Sequence, residues 1–434
     1  MARDGSPVRR LGRPGRGHSF LVLITGSFPA TTGDYSFIRH EIEELASRFD
    51  RVLIYSFRPV EGATAELPSN ARYLGALSRT PKIGIIAALL SPPRLAAAAR
   101  ALRREARSGR MRGHVPLVIG NILTGERFAR TVEGGLRRAG ASSDSRVSVY
   151  SFWGSHGALA LPFLPKRFRR VARLHRFDLY EGVGGRLPLR ASIFGSVDAL
   201  LSISENGRQY LLDRFGALIP AGVLSVLRLG TADHGVGPQP TPLTERLEHE
   251  PIKVVSCSSV IDVKRVDSLI PALELIARDY RVHWTHFGSG RDMSALAEEV
   301  RAAQSRTPWL KVDLRGQTEN SDVLAYYRET AIDVFVNVSD SEGVPVSIME
   351  ALSFGIPAVA TDVGGTGEIV GAELGSGILL QPRPDAGELA EALHSTVRDR
   401  ASLHPRIIWE RLSDARVSGM QIADMVALWT EESR

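Results

Sequence analysis

Apolar positions in this chain come in short unbroken runs separated by helix-length amphipathic stretches. In the first half the runs are "FLVLIT", "RVLIYSF", "RVSVYSF", "RVARLH", "ALLSIS" and "VLSVLRL"; in the second they are "IKVVSCSS", "RVHWTHFG", "KVDLRG", "IDVFVNVS", "PAVAT" and "GILL". They are rich in Val, Ile and Leu and lack strict alternation, which predicts parallel strands covered on both faces. Between them "SLIPALELIARDY", "DMSALAEEVRAAQ" and "AGELAEALHSTVRD" repeat with helical period. Alternating strands and helices imply right-handed βαβ units and doubly wound sheets. The Pro- and Gly-rich, apolar-poor stretch "TADHGVGPQPTPLTERLEHEP" divides the pattern in two. The expected organisation is therefore an N-terminal Rossmann-like domain over residues 19–235, a linker over 236–250 and a C-terminal Rossmann-like domain over 251–405. A basic, disordered arm is expected over 1–18. Two such domains direct the carboxyl ends of their strands, where ligands bind in these sheets, toward one cleft.

Composition narrows the class. A chain of 434 residues is long enough for two cores. One cysteine, Cys257, rules out an internal disulfide framework and fits a reducing compartment; its apolar run "IKVVSCSSV" suggests a buried structural thiol. No apolar run reaches the roughly 18 residues a membrane span needs. The N-terminus "MARDGSPVRRLGRPGRGH" lacks the apolar core of a signal peptide. The net charge of +6 conceals an asymmetry: residues 1–241 hold 35 Lys and Arg against 18 Asp and Glu, and the remainder holds 19 against 30. A basic first half suggests an anionic partner. Its charge concentrates in the arm, in the amphipathic segment Arg94–Arg112 and in "KRFRRVARLHR", Lys166–Arg176. An anionic membrane surface or phosphate-bearing lipid is expected before nucleic acid, because no interleaved aromatics or nucleic-acid module accompany these residues. A simply solvated basic face is the alternative.

Three loops after strands carry candidate chemistry. "VHWTHFGSG" places Gly288 in a turn that either approaches a ligand or serves an ordinary strand–helix connection. Lys264 and Arg265 follow the second domain's first strand and open a helix, where two cations oppose the helix dipole and suit a diphosphate. In "SDSEGVPVSIMEALSFG", Ser347 and Glu350 fit a capping box, an adequate structural reason for Glu350. Glu342, on a Gly-containing loop at a strand end, has no helix to cap and no evident partner. A carboxylate there suits paired hydrogen bonds from adjacent hydroxyls. Two acids so placed match a ligand with two polyols joined by a diphosphate, a nucleotide sugar.

The same residues carry a family resemblance. Glu342-Gly343-Val344-Pro345 to Glu350-Ala351, followed by Gly355-Ile356-Pro357, Ala360-Thr361 and Gly364-Gly365 to Glu368, resembles the signature of retaining GT-B glycosyltransferases of family 4, the group 1 transferases. "LITGSFPATTGDYSFIRHEIEEL", "RLHRFDLYEG", "LSISENGRQYLLDRFG" and "VLRLGT" are similar to the subset making exopolysaccharides of the colanic acid and amylovoran kind. The resemblance implies that residues 406–434 cross back to the first domain as helices. It assigns the first domain to the acceptor and the second to the nucleotide sugar.

Roles follow by position. Glu342 would contact the transferred sugar, with backbone amides of Gly343, Val344, Pro345, Val346 and Ser347 lying near sugar and phosphate, although Pro345 has no N–H to give. Glu350 would hold the ribose, and Lys264 would neutralise the diphosphate leaving group. His175 falls where the family has a histidine near the reacting sugar, Asp178 follows it in the same motif, and Gly33 would let backbone approach phosphate or acceptor. Gln317 and Thr318 are base-pocket candidates. Ser259 stands where many members carry Arg, so Arg265 is the candidate replacement cation. The implied reaction moves a hexose-type sugar from a nucleoside diphosphate sugar, UDP-linked by first expectation, to a hydroxyl of a lipid-linked or other glycan acceptor, with retention. No cofactor and no metal are expected, since Asp340-Ser341-Glu342 is the nearest approach to a D-x-D motif. The expected setting is cytoplasmic, at or near the inner face of the membrane. An epimerase or hydrolase on the same fold, or a non-catalytic nucleotide-sugar-binding subunit, are the alternative functions.

Overall fold

A computed structural model describes residues 18–80, 91–109, 111–184 and 189–428. Residues 1–17 of the expected basic arm and the apolar run Ile83–Leu90 lie outside the described residues. The first domain is a seven-stranded sheet of order β3-β2-β1-β4-β5-β6-β7. Its strands are β1 (Ser19–Thr25), β2 (Arg51–Ser56), β3 (Ala71–Ala76), β4 (Arg146–Ser151), β5 (Arg169–Leu174), β6 (Ala199–Ser202) and β7 (Leu224–Val226). The second domain is a six-stranded sheet of order β10-β9-β8-β11-β12-β13. It is built from β8 (Ile252–Cys257), β9 (Val282–Phe287), β10 (Leu310–Leu314), β11 (Val334–Asn337), β12 (Ala358–Thr361) and β13 (Gly377–Leu380). Both sheets are parallel throughout, for example Val22 beside Val149 and Val336 beside Val359. This is the doubly wound architecture the apolar runs predict. Every residue of β1 is buried, as a central strand covered by helices on both faces requires. The edge strand β3, "ARYLGA", is the one strand the apolar pattern passed over, and it is only half-buried.

Charge is distributed differently from the basic-face expectation. Within Lys166–Arg176, Arg173 is fully buried: its Nη1 lies 2.5 Å from Glu41 Oε1, and its Nη2 donates to the carbonyls of Leu227 and Arg228. Arg169 is also buried and donates to the Met425 carbonyl. Two of the cluster's cations are therefore internal to the fold, Arg170 and Arg176 are half-buried, and Lys166 and Arg167 remain exposed. Arg94, heading the helix Pro92–Arg107, pairs inward with Glu126 and Glu133 at 2.5 and 2.8 Å.

The chain crosses between domains twice, and the crossings are paired. Thr231 N–H donates to Ser413 O at 2.9 Å, and Ala415 N–H returns to Thr231 O at 3.1 Å. The buried Trp409 donates to Thr231 Oγ1 at 2.8 Å. The helix Pro405–Leu412 packs on the helix Val346–Ser353 of the second domain. The helix Ala415–Ala427 then lies on the first domain, where Ser148 Oγ donates to Val426 O and Arg48 pairs with Asp424.

Candidate functional site

The two sheets present the carboxyl ends of their strands to each other. After β5, Arg176 Nε donates to Ser341 Oγ at 3.2 Å across the cleft. After β6, Asn206 N–H donates to Glu368 Oε1 at 2.9 Å; after β7, Arg228 Nη2 lies 2.6 Å from Glu368 Oε2. The cleft is thus lined by the loops that follow β5, β6, β7, β11 and β12.

The loop after β11 holds Glu342, which is 7% exposed. Lys264 Nζ lies 2.5 Å from Glu342 Oε1, and Asn337 Nδ2 donates to the same oxygen at 3.3 Å. The sequence-based expectation of an acid without a partner is therefore corrected: adjacency of β8 and β11 brings in a residue 78 positions away. Asn337 Oδ1 accepts from Ser339 N–H, and Thr361 Oγ1 donates to Ser339 O, so side chains from β11 and β12 clamp the start of the loop. The Gly364–Gly365 turn braces it from behind. Gly364 has φ of +59°, and a Cβ there would sit 2.0 Å from the Glu342 carbonyl oxygen. Only glycine meets both conditions. Gly365 N–H donates to Gly343 O at 2.6 Å.

Glu350 moves the opposite way. Its helix runs Val346–Ser353 with Pro345 at the N-cap, and no side chain caps it. Ser347 is thus the second helical residue and Glu350 the fifth, two residues too deep for a capping box. The cause is Pro345, whose fixed φ favours a helix start immediately after it. Glu350 instead accepts from Asn320 Nδ2 at 2.9 Å, and burial pushes its carboxyl above the usual range. Arg39, from the first domain, pulls in the other direction. Val344 and Pro345 are buried, while Val346 and Ser347 are half-buried.

Lys264 and Arg265 do not open a helix. Lys264 ends the 3₁₀ turn Asp262–Lys264, and Arg265, left-handed at φ 50°, joins it to a second, Val266–Ser268, ahead of the helix Leu269–Ile276. Arg265 faces Asp340, 4.0 Å away, which Arg383 also holds at 2.9 Å. The candidate replacement cation thus has a carboxylate beside it, while its buried Nη1 makes no hydrogen bond. Ser259 is exposed after β8. Cys257, beside it, is half-buried, and burial pushes its thiol up to about 12.

Gly288 has a structural reason for being glycine. Its φ is +131°, and a Cβ would stand 1.9 Å from Ser258 O, so it lets two adjacent strand-end loops touch. Gln317 is exposed, and Thr318 Oγ1 donates to Gly316 O. Both follow β10, three strands removed from β11.

In the first domain His175 is buried between Phe152 and Trp153, each ring 4.5 Å away. Its Nε2 lies 3.0 Å from Phe152 O, so that nitrogen carries the proton and donates. Burial and Arg173 hold the imidazole well below its ordinary range. Asp178 Oδ1 accepts from His175 N–H at 2.6 Å and locks this turn. Burial raises the Asp178 carboxyl to about 7. Gly33, at φ +65°, borders a separate cavity with Asp34. Arg176, Asn337 and Glu368 were missed as site residues by sequence reasoning. Arg176 was counted with the basic cluster and Glu368 only as the last letter of a motif; nothing local marked Asn337. Among the described residues, no group of three His, Cys, Asp or Glu is arranged to hold a metal ion.

Two parallel Rossmann-like sheets meeting at their strand ends, with a terminal helix returning to the first, define the GT-B class. Residues 244–408 match the family model described as glycosyl transferases group 1. The chain is 28% identical over 272 residues to the exopolysaccharide phosphotransferase SCO2592 of Streptomyces coelicolor, covering 62% of this chain and 26% of that protein. It is 25% identical over 227 residues to the amylovoran biosynthesis glycosyltransferase AmsK of Erwinia amylovora, covering 50% of this chain and 52% of the relative. The matches thus span about a quarter and about half of these relatives. In fold it is similar to the Anabaena protein Alr3699/HepE, solved in complex with UDP. The TM-score is 0.60 at 15% identity, over 94% of this chain and 99% of that one.

Proposed function

We propose that this protein is a retaining glycosyltransferase of polysaccharide biosynthesis. It moves a hexose-type sugar from a nucleoside diphosphate sugar, with UDP favoured, to a hydroxyl of a lipid-linked or other glycan acceptor. The observation that carries the reading is the Lys264–Glu342 pair at 2.5 Å, on the loops of β8 and β11, inside a group 1 domain. A cation there offsets the charge that develops on a departing diphosphate. A carboxylate there accepts hydrogen bonds from sugar hydroxyls. Lys264 and Glu342 neutralise each other in this pair, and a bound diphosphate would compete with the carboxylate for Lys264. Glu350, without a capping duty, is free to accept from ribose hydroxyls. No cofactor or metal enters this scheme; Lys264 takes the part a divalent cation plays elsewhere. Calorimetry with UDP, GDP and their sugars tests the class, and product anomer analysis tests retention.

A second reading comes from the activity in the name of the Streptomyces relative, phosphotransfer. Sugar transfer breaks the bond between the anomeric carbon and oxygen and releases a nucleoside diphosphate. Transfer of a sugar phosphate breaks the diphosphate and releases a nucleoside monophosphate. Phosphorus NMR of the reaction distinguishes them. Incubation with donor alone identifies an epimerase or hydrolase; donor binding without turnover across acceptors identifies a binding subunit.

The setting proposed is the cytoplasmic face of a membrane. Support comes from apolar side chains left in solvent on the helices Pro92–Arg107 and Val115–Arg138: Leu95 is 57% exposed and Leu117 53%, with Leu102 and Ile119 also exposed. Arg100, Arg103, Arg107 and Arg112 are exposed nearby in sequence. Apolar and basic side chains together suit an anionic lipid interface. No helix among the described residues is long and apolar enough to cross a membrane.

A further inference from the structure

The first domain holds a cavity of about 290 Å³ near the carboxyl ends of β1 and β4, with Phe57, Trp153, His156, Phe177 and Arg58 on its wall. A glycine turn after a first strand ordinarily offers its amides to an anion. Here Asp34 takes them: its Oδ2 accepts from Gly26 N–H and, at 3.1 Å, from Ser27 N–H. That turn is satisfied from within the chain. Arg58 is the contrast. Among the described residues no carboxylate forms an ion pair with it. It lies close enough to His156 to disfavour protonation there, adding to partial burial of the ring. His156 has φ of 48°, a left-handed conformation that costs a non-glycine residue about 1–3 kcal/mol. The backbone holds its ring 4.5 Å from that of Phe57, and Ser155 Oγ is 2.9 Å from its Nδ1. The cavity thus joins an aromatic wall, suited to the apolar face of a sugar ring, to one exposed cation that no carboxylate pairs. Its rim residue Phe177 is 49% exposed and adjoins Arg176, which touches the Glu342 loop.

We propose that this cavity seats the acceptor sugar, and that Arg58 selects a sugar bearing an anionic group, either a carboxylate or a phosphate ester. The proposal rests on the glycosyltransferase reading above. The aromatic rings hold the sugar face, Arg58 takes the anion, and the acceptor hydroxyl points past Phe177 toward Glu342. Asp34, buried against its two amides, keeps the turn closed to phosphate and leaves Arg58 as the anion's partner.

The test is calorimetry on the full chain with methyl β-D-glucuronide, glucose 6-phosphate and methyl β-D-glucoside, each also against Arg58→Gln and Lys264→Ala. The expected result is that a charged sugar binds about tenfold or more tighter than the glucoside, the worth of one charge-assisted hydrogen bond. That preference should vanish in Arg58→Gln and persist in Lys264→Ala. Preference for the glucuronide identifies a carboxylate, and preference for the phosphate identifies a phosphate ester. Equal binding of all three, binding of none, or a preference that survives Arg58→Gln or is lost in Lys264→Ala overturns the proposal. UDP binding is measured on the same preparations. UDP bound normally by Arg58→Gln shows an intact fold, so loss of the preference is then specific. UDP or GDP bound by the natural chain without an acidic-sugar preference overturns only the cavity assignment, whereas binding of neither nucleotide nor their sugars overturns the transferase reading.

Discussion

Lys264 Nζ and Glu342 Oε1 are 2.5 Å apart, and this contact joins the loops of two adjacent strands, β8 and β11. Glu342→Gln keeps the shape of the side chain and removes its charge. Transfer is expected to fall by about 10²–10³, the cost of losing one preorganised polar group at a transition state. Affinity for UDP is expected to hold or rise, because Lys264 loses the partner that competes with phosphate. Steady-state kinetics and calorimetry read the two effects; near-normal turnover would sink the role given to Glu342.

Lys264→Ala acts on binding first. UDP affinity should drop by roughly ten- to a hundredfold, matching about 1.5–3 kcal/mol for a hydrogen bond to a charged group. EDTA, in contrast, should leave transfer by the unaltered protein intact. An unchanged UDP affinity, or a strict need for magnesium or manganese, would contradict the metal-free scheme.

Glu368 carries two interdomain contacts at once, accepting from Asn206 N–H and pairing with Arg228. It also stands in the turn whose glycines brace the Glu342 loop. Glu368→Ala should open the cleft, seen as an increased radius of gyration in solution scattering, and should raise the donor KM. Identical scattering curves would show that the domains are held by other contacts alone.

Asp178 supplies a pH prediction. Its carboxyl is raised by burial to about 7, against hydrogen bonds from His175 and Gly154 amides that pull it down. In an unfolded chain it titrates near about 4. Between those values the unfolded state gives up its proton first, so the folded state loses stability as pH rises and levels off above about 7. Asp178→Asn removes this term. The stability of the variant relative to the natural chain should therefore climb across that window in thermal unfolding scans. A flat difference would mean the carboxyl ionises freely in the fold.

Exchanging Leu95 and Leu117 for Gln should release the protein from anionic vesicles while leaving UDP affinity unchanged. Sedimentation with phosphatidylglycerol and with phosphatidylcholine vesicles measures this. Equal binding of variant and natural chain would place any lipid contact elsewhere.

The strands were legible because a strand buried on both faces must be an apolar run; β3 escaped because an edge strand half in water need not be one. Arginines misled in the same way: sequence shows that Arg169 and Arg173 are charged but not that Glu41, Leu227, Arg228 and Met425 converge on them. Glu342 and Glu350 exchanged their accounts. Glu342 has partners that only the β8–β11 adjacency supplies, and Glu350 lost its capping role because Pro345 starts the helix early. The site motif was readable as a motif. Its bracing by Gly364 and its reach to Asn206 and Arg228 depend on packing between distant segments, which local patterns do not encode.

The paired crossings, where Thr231 meets Ser413 and Ala415, bear on how the protein is made. Synthesis proceeds from the N-terminus, and domains generally fold as units as they emerge. Here the first domain lacks one helix from a covering face until Ala415–Ala427 has left the ribosome, for Ser148, Arg169 and Arg48 find their partners only there. The domain begun first is finished last. The second domain must fold in between, while its neighbour still exposes the apolar seat of a helix not yet translated.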